Sequence, residues 1–165
     1  MTLSIFLDES VNICKQVIDS GLIYEEELEF LIKPHPTMNM TTLKNRLGAN
    51  WTNIIKEVKG YTPDYIKKSD LLITGMSSIA LEAVVMGVPV IVVETMKGRL
   101  DFDPIPSSVP KELWRSCRSS VEILEAIKSF RARSPEEVSK QKKLSDLIKK
   151  DYLLMLLLDI KLSTR

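Results

Sequence analysis

The segment from residue 69 to residue 93 constrains the fold of this chain more than any other. It reads SDLLITGMSSIALEAVVMGVPVIVV. An apolar run at Leu71–Thr74 is followed by a turn at Gly75–Ser78, a helical pattern, and a second apolar run at Val88–Val93. A strand that is almost entirely apolar is typical of a parallel sheet with helices on both faces. The segment therefore predicts a strand, a turn, a helix and a strand of one parallel α/β unit.

The polar residues of this turn indicate an anion site. In such a unit the turn after the first strand lies at the carboxyl edge of the sheet, and the next helix directs unpaired N–H groups there. Ser77 and Ser78 fall at the predicted helix start, where hydroxyls cap the helix or bind a phosphate. Glu82 lies one helical turn beyond Ser78, where it could accept hydrogen bonds from ribose hydroxyls. The alternative is that both serines only cap the helix and that Glu82 is solvated.

Strands and helices alternate along the rest of the chain. Further strands are predicted at residues 29–33, 54–58 and 113–117, and further helices from residue 8 or 10 to 20, at 41–47, 62–68 and 119–130, and from 134 onwards. Residues 3–7 are predicted to be a short strand or an ordered lead-in, and residues 94–109 an irregular, functional loop. The alternation predicts a Rossmann-like, three-layer α/β domain whose parallel sheet is covered by helices on both faces.

A second polar motif is Lys33-Pro34-His35-Pro36, which directly follows the predicted strand 29–33. His35 is the only histidine of the chain, and the prolines on either side restrict its backbone. An imidazole at the carboxyl end of a strand can donate a hydrogen bond to a phosphate oxygen, and Lys33 adds positive charge. The alternative is that the Pro-His-Pro segment only shapes a loop.

Composition excludes several other classes of protein. The 23 lysines and arginines nearly balance the 22 aspartates and glutamates, so no nucleic-acid surface is expected. A single histidine and two distant cysteines, Cys14 and Cys117, do not form the usual zinc sites, and we expect no metal and no cofactor. The longest apolar run, Tyr152–Leu158, is shorter than the roughly 20 residues that span a bilayer. With no secretory signal at its start, the chain is expected in the reducing cytoplasm.

Taken together, these motifs resemble a known family. A strand ending in Lys-Pro-His-Pro, then a strand ending in Ser-Ser, then Glu-Ala and Gly-Val-Pro-Val are similar to the C-terminal, donor-binding half of GT-B glycosyltransferases. The likeness is to the bacterial surface-carbohydrate branch, with its polysialyltransferases, capsular polysaccharide synthesis proteins and CDP-glycerol glycerophosphotransferases. The resemblance implies that His35, Ser77 and Ser78 bind the phosphate of a cytidine nucleotide, and that Glu82 contacts the ribose. Thr74 stands where retaining members of the wider fold carry a second glutamate.

The resemblance implies a function for residues 1–150 as the nucleotide-sugar-binding domain of an inverting glycosyltransferase of capsule, O-antigen or other surface polysaccharide synthesis. His35 would act catalytically by stabilising the leaving phosphate, supported by Lys33. The acceptor glycan would bind an N-terminal half that is missing here, and the chain could lie at the periphery of the inner membrane. The alternatives are a polyol-phosphate transferase that uses CDP-glycerol and a non-catalytic nucleotide-binding module. Residues 151–165 are expected to be an apolar helix or tail that packs on the missing half or on another copy.

Overall fold

The computed structural model describes residues 2–21, 28–34, 38–48, 51, 55–94 and 104–163, with only the backbone of residues 2–9 and 153–163. These residues form six helices: α1 Thr2–Asp19, α2 Met40–Leu47, α3 Thr62–Ile66, α4 Ile79–Val85, α5 Ser120–Arg131 and α6 Pro135–Ser163. They also form five strands: β1 Phe30–Ile32, β2 Ile55–Glu57, β3 Leu72–Thr74, β4 Val90–Val93 and β5 Trp114–Cys117. Apart from residues 3–7, the strands and helices predicted from the sequence are confirmed in order, with ends that mostly differ by a few residues.

Every strand pairing in the described part of the chain is parallel, which confirms the α/β class. The strands form two sheets instead of the single sheet that was predicted: β1 pairs with β2, and β3, β4 and β5 form a second sheet with β4 in the centre. Phe30 of β1 packs against the same apolar cluster as Ile73 of β3. The two sheets therefore adjoin through side chains, without a backbone ladder between β1 and β3.

Helices cover both faces of the three-stranded sheet. All four residues of β4 are buried, and their side chains alternate between two clusters, as the two-residue period of a strand requires. Val90 and Val92 pack in a cluster with Val84 of α4, and Leu144 of α6 borders it. Ile91 and Val93 pack in a second cluster with residues of α5. The apolar sequence of β4 thus reflects its position between two layers of helices.

Within the described part of the chain, helices cover only one face of the two-stranded sheet. Phe30 and Ile55 pack against Val17 and Ile18 of α1, while Ile32 lies against the cluster formed by α1 and α2. Leu31 points the opposite way and remains 43% exposed. Its partner in the ladder is Lys56, which is also exposed. The first half of the domain therefore contains a smaller core than the second.

Capping residues fix the starts of α5 and α6. Ser134 and Glu137 form a reciprocal capping box: the Glu137 N–H donates to the Ser134 hydroxyl at 3.2 Å, and the Ser134 N–H donates to the Glu137 carboxylate at 2.7 Å. Ser134 and Glu137 also have the Ser-x-x-Glu spacing that is typical of a capping box. At α5 the Ser119 hydroxyl accepts from the Glu122 N–H at 3.2 Å, but the Glu122 carboxylate accepts from the Arg118 N–H. Ser119 and Glu122 have the same spacing, but only half of a capping box therefore forms at α5.

The helices at the two ends of the chain differ most from expectation. Residues 3–7 belong to α1, so the short strand predicted there is wrong. A five-residue apolar run fits a helix as well as a strand, and a helix that has begun extends at little cost. At the other end, residues 151–163 continue α6, which packs on α4; the partner predicted for this segment stays a prediction. Within the described ranges, none of the helices is long and apolar enough to cross a membrane.

Candidate functional site

The candidate site lies at the carboxyl edge of the three-stranded sheet. Because β3, β4 and β5 are parallel, the chain leaves all three strands at this edge. The register pairs Thr74 with Val92, and Val93 with Cys117. The turn before α4, the residue after β4 and the residue after β5 therefore lie side by side. Ligands of open parallel sheets bind at such an edge.

The turn between β3 and α4 carries the two predicted serines. Gly75 is buried, Ser77 is half-buried and Ser78 is exposed. Ser78 precedes the first helical residue, but its φ of −56° and ψ of −23° are already helical, and its hydroxyl makes no capping hydrogen bond. A capping serine normally has extended backbone angles and accepts a bond from the helix. Ser78 therefore does not cap α4 through its hydroxyl, and this exposed residue stays a candidate ligand group.

Glu82 lies one helical turn beyond the serines, as predicted. Its N–H donates to the Ser78 carbonyl at 3.4 Å, and the Ala80 N–H donates to the Ser77 carbonyl at 3.0 Å. The first turn of α4 thus joins Ser78 to Glu82 and Ser77 to Ala80 through backbone hydrogen bonds. The Glu82 side chain is half-buried. The structure therefore brings together three of the five predicted site residues.

The other two predicted residues follow β1 in the first sheet. Lys33 is half-buried, and its ammonium donates to the neighbouring Pro34 carbonyl at 3.5 Å. The described contact of Lys33 thus lies within its own loop and does not connect it to the serine turn. His35 lies outside the described residues, together with Pro36. Its predicted place beside Ser77 stays a prediction.

Sequence reasoning missed a polar group at the ends of β4 and β5. The Glu94 carboxylate accepts a hydrogen bond from the Arg118 Nε at 2.6 Å and another from the Ser116 hydroxyl. The hydrogen bonds from Ser116 and Arg118 lower the pKa of Glu94, although burial opposes this shift. The bond with Glu94 raises the pKa of Arg118. A negative and a positive side chain are therefore fixed beside the serine turn.

A signal for this group was present in the sequence. Glu94 directly follows the fully apolar strand β4, and Arg118 directly follows β5. A charged residue at the carboxyl end of a parallel strand lies at the ligand-binding edge. The predicted functional loop that starts at Glu94 is described only in part: Pro104, Ile105 and Val109 are buried, while residues 95–103 lie outside the described ranges. The buried residues of this loop therefore pack in the core.

The chemistry available at this edge is that of phosphate and polyol binding. Hydroxyl groups and a guanidinium can donate to phosphate oxygens, and a carboxylate can accept from sugar hydroxyls. Within the described part of the chain, no group of three or more histidine, cysteine or acidic residues could hold a metal ion. Burial raises the pKa of the Cys117 thiol to about 11. This cysteine is therefore a protonated core residue and not a nucleophile.

No protein-family model matches the chain. No curated protein matches it, and neither does any solved structure. The function of this chain is therefore inferred from its own fold, from the residues at the carboxyl edge of the three-stranded sheet, and from the resemblance of its motifs to the donor-binding half of GT-B glycosyltransferases.

Proposed function

We propose that this chain is the nucleotide-sugar-binding domain of an inverting glycosyltransferase for bacterial surface polysaccharide, with a Rossmann-like fold that forms one half of a GT-B enzyme. The observation that carries the proposal is the turn between β3 and α4. It follows a parallel strand at the carboxyl edge, and Ser78 leaves its exposed hydroxyl out of the helix cap. A phosphate that lies there can accept from the serine hydroxyls and from the start of the helix.

The proposed roles of the site residues are those that the resemblance implies. Ser77 and Ser78 bind the phosphate of a cytidine nucleotide. Glu82 lies one turn along α4, about 5.4 Å along the helix axis, and accepts hydrogen bonds from the ribose hydroxyls. His35 and Lys33, after β1, stabilise the charge that develops on the leaving phosphate. The domain supplies the donor site, and a second domain supplies the acceptor site and the catalytic base.

Nucleotide binding tests this proposal most simply. Differential scanning fluorimetry with CMP, CDP, UDP and GDP should show the largest stabilisation with a cytidine nucleotide. A ligand at 100 times its dissociation constant stabilises the folded state by about 2.7 kcal/mol. If none of the four nucleotides raises the melting temperature at millimolar concentration, the proposal is wrong. Stabilisation by UDP or GDP alone would exclude the cytidine branch.

Variants of the serine turn locate the bound nucleotide. Ser77→Ala should weaken CMP binding in isothermal titration calorimetry by about 1 to 3 kcal/mol, the range for a hydrogen bond to a charged group. Ser139→Ala is the matched control, since Ser139 is exposed on α6 far along the chain from the turn. Glu82→Gln should weaken CMP binding but leave the binding of inorganic phosphate unchanged, because its partner is the ribose. Equal affinities of wild type and Ser77→Ala would remove the serines from the site.

A further inference from the structure

Arg118 directly follows β5, and its side chain extends to the end of the neighbouring strand β4. The ladder between Glu94 and Cys117 continues one bond beyond β4, since the Glu94 N–H donates to the Cys117 carbonyl at 2.9 Å. The Arg118 Nε then donates to the Glu94 carboxylate at 2.6 Å. The guanidinium is therefore held beside the carboxyl end of β4, and β4 is the strand next to β3.

The Glu94 carboxylate orients this guanidinium without using all of its donors. Only the Nε of Arg118 bonds to Glu94, and no hydrogen bond joins its two terminal nitrogens to any described residue. The side chain of Arg118 is 68% exposed. The Ser116 hydroxyl occupies the other carboxylate oxygen, which fixes Glu94 in turn. A guanidinium that is oriented by one bond and keeps four N–H donors is suited to a phosphate, which it can bind through two parallel bonds.

Hydrogen bonds within the chain join the residues around the start of α5. The Ser119 hydroxyl accepts from the Glu122 N–H, and the Glu122 carboxylate accepts from the Arg118 N–H. These bonds occupy the backbone N–H groups of Arg118 and Glu122 and leave the exposed guanidinium of Arg118 as a donor. The positive charge of Lys111 also acts on Glu94. It partly offsets the negative charge of the carboxylates at this edge, which would otherwise repel an anion. The side chain of Arg118 is therefore the group that can bind a ligand.

We propose that Arg118, positioned by Glu94, binds the second phosphate of a nucleoside diphosphate whose first phosphate lies at Ser77 and Ser78. Neighbouring strands are about 4.8 Å apart, so a guanidinium above β4 lies about one strand spacing from the end of β3. Phosphate-binding groups that follow neighbouring strands can contact the two phosphates of one diphosphate. This inference rests on the proposed function and specifies its donor: a sugar or polyol activated by a nucleoside diphosphate.

The test compares CDP with CMP in isothermal titration calorimetry. Arg118→Ala should weaken CDP binding about tenfold or more and CMP binding less than threefold, because only CDP carries the second phosphate. Arg118→Lys, which keeps the charge but loses the planar fork, should fall in between. Glu94→Gln should lower the preference for CDP over CMP while leaving CMP affinity near that of wild type, as expected of a positioning residue. Arg115→Ala is the matched control. Arg115 lies on β5, close to Arg118 along the chain, and its side chain donates to the Lys111 carbonyl instead of Glu94.

The outcomes separate this inference from the proposed function. A wild-type chain that binds neither CDP nor CMP overturns both. A wild-type chain that binds CDP, with an Arg118→Ala variant that keeps the CDP-to-CMP affinity ratio of wild type, overturns the role of Arg118 and leaves the serine site intact. Circular dichroism of each variant confirms that the fold is retained, which is expected because Arg118 is an exposed side chain.

Discussion

The strands β1 and β4 come from similar apolar sequences, yet they are buried to different extents. All four residues of β4 are buried, since the strand lies between two others and has helices on both faces. In β1, Leu31 is 43% exposed, because α1 and α2 cover only the other face. An apolar run therefore predicts that a strand forms, but it does not predict how many of its faces are covered.

The residues of the proposed site therefore follow strands of two sheets that are buried to different extents. The serine turn, Glu94 and Arg118 lie on the well-buried sheet, whereas Lys33 follows the partly covered one. Stability is not uniform across a protein, and segments with few buried contacts open more readily than the core. Ligand groups on a rigid element are held more precisely than groups on a loop beside a smaller core. We therefore expect nucleotide affinity to depend mainly on the second sheet.

The largest expected effect is a difference in stability between two leucine truncations. Leu113, just before β5, is 1% exposed in the core of the second sheet, whereas Leu31 is 43% exposed. Leu113→Ala should lower the free energy of unfolding by about 2 to 5 kcal/mol. Leu31→Ala should lower it by less than about 1 kcal/mol, because little apolar area is lost from the interior. Urea denaturation of both variants measures this, and equal losses would show that the two sheets are covered alike.

A smaller effect is expected from two serines that precede helices. Ser134 caps α6 with a reciprocal pair of hydrogen bonds, so Ser134→Ala should cost about 1 kcal/mol of stability. Ser78 makes no capping bond to α4, so Ser78→Ala should change the free energy of unfolding by less than about 0.5 kcal/mol. Thermal melts followed by circular dichroism measure both. A loss at Ser78 as large as that at Ser134 would contradict the uncapped start of α4.

The smallest expected effect is the pH dependence contributed by Glu94. Hydrogen bonds from Ser116 and Arg118 lower the pKa of Glu94 in the folded state. Its contribution to stability is therefore fully present above the ordinary glutamate pKa of about 4.3 and is lost as the pH falls through the lowered value. Wild type should be slightly more stable than Glu94→Gln at pH 7, and the two urea midpoints should converge as the pH falls below about 4.3. A difference between the two urea midpoints that widens as the pH falls would contradict the predicted sign of the Glu94 contribution.

Local features of the fold could be predicted from the sequence, and non-local ones could not. The box of Ser134 and Glu137 involves residues three apart, so its pattern alone predicted it. The pairing of Glu94 with Arg118 joins residues 24 apart and depends on the register of β4 and β5, which the sequence does not specify. The split into two sheets likewise depends on tertiary packing. The short apolar run at residues 3–7 was predicted to be a strand or an ordered lead-in, and it forms part of a helix, because so short a run has an ambiguous period.

In the candidate site, too, only features that are local in the sequence could be predicted. Gly75 to Ser78 and Glu82 could be found because one turn and one helix bring them together. The role of Ser78 could not be decided from its position, because a serine before a helix caps it in most settings. The helical backbone angles of Ser78 and its missing capping bond show that it does not cap α4, while the binding of a phosphate there stays a prediction.

Hydrogen–deuterium exchange with and without saturating CDP tests the central claim most directly, namely that the turn after β3 binds the phosphate of a nucleotide. CDP should slow exchange in peptides that cover residues 75–82 and, through Arg118, in those that cover residues 94 and 118. Peptides from the first turns of α6 should be unchanged, since α6 packs on the other end of α4 through Gly87. Bound CDP that leaves the exchange of residues 75–82 unaltered would contradict the account.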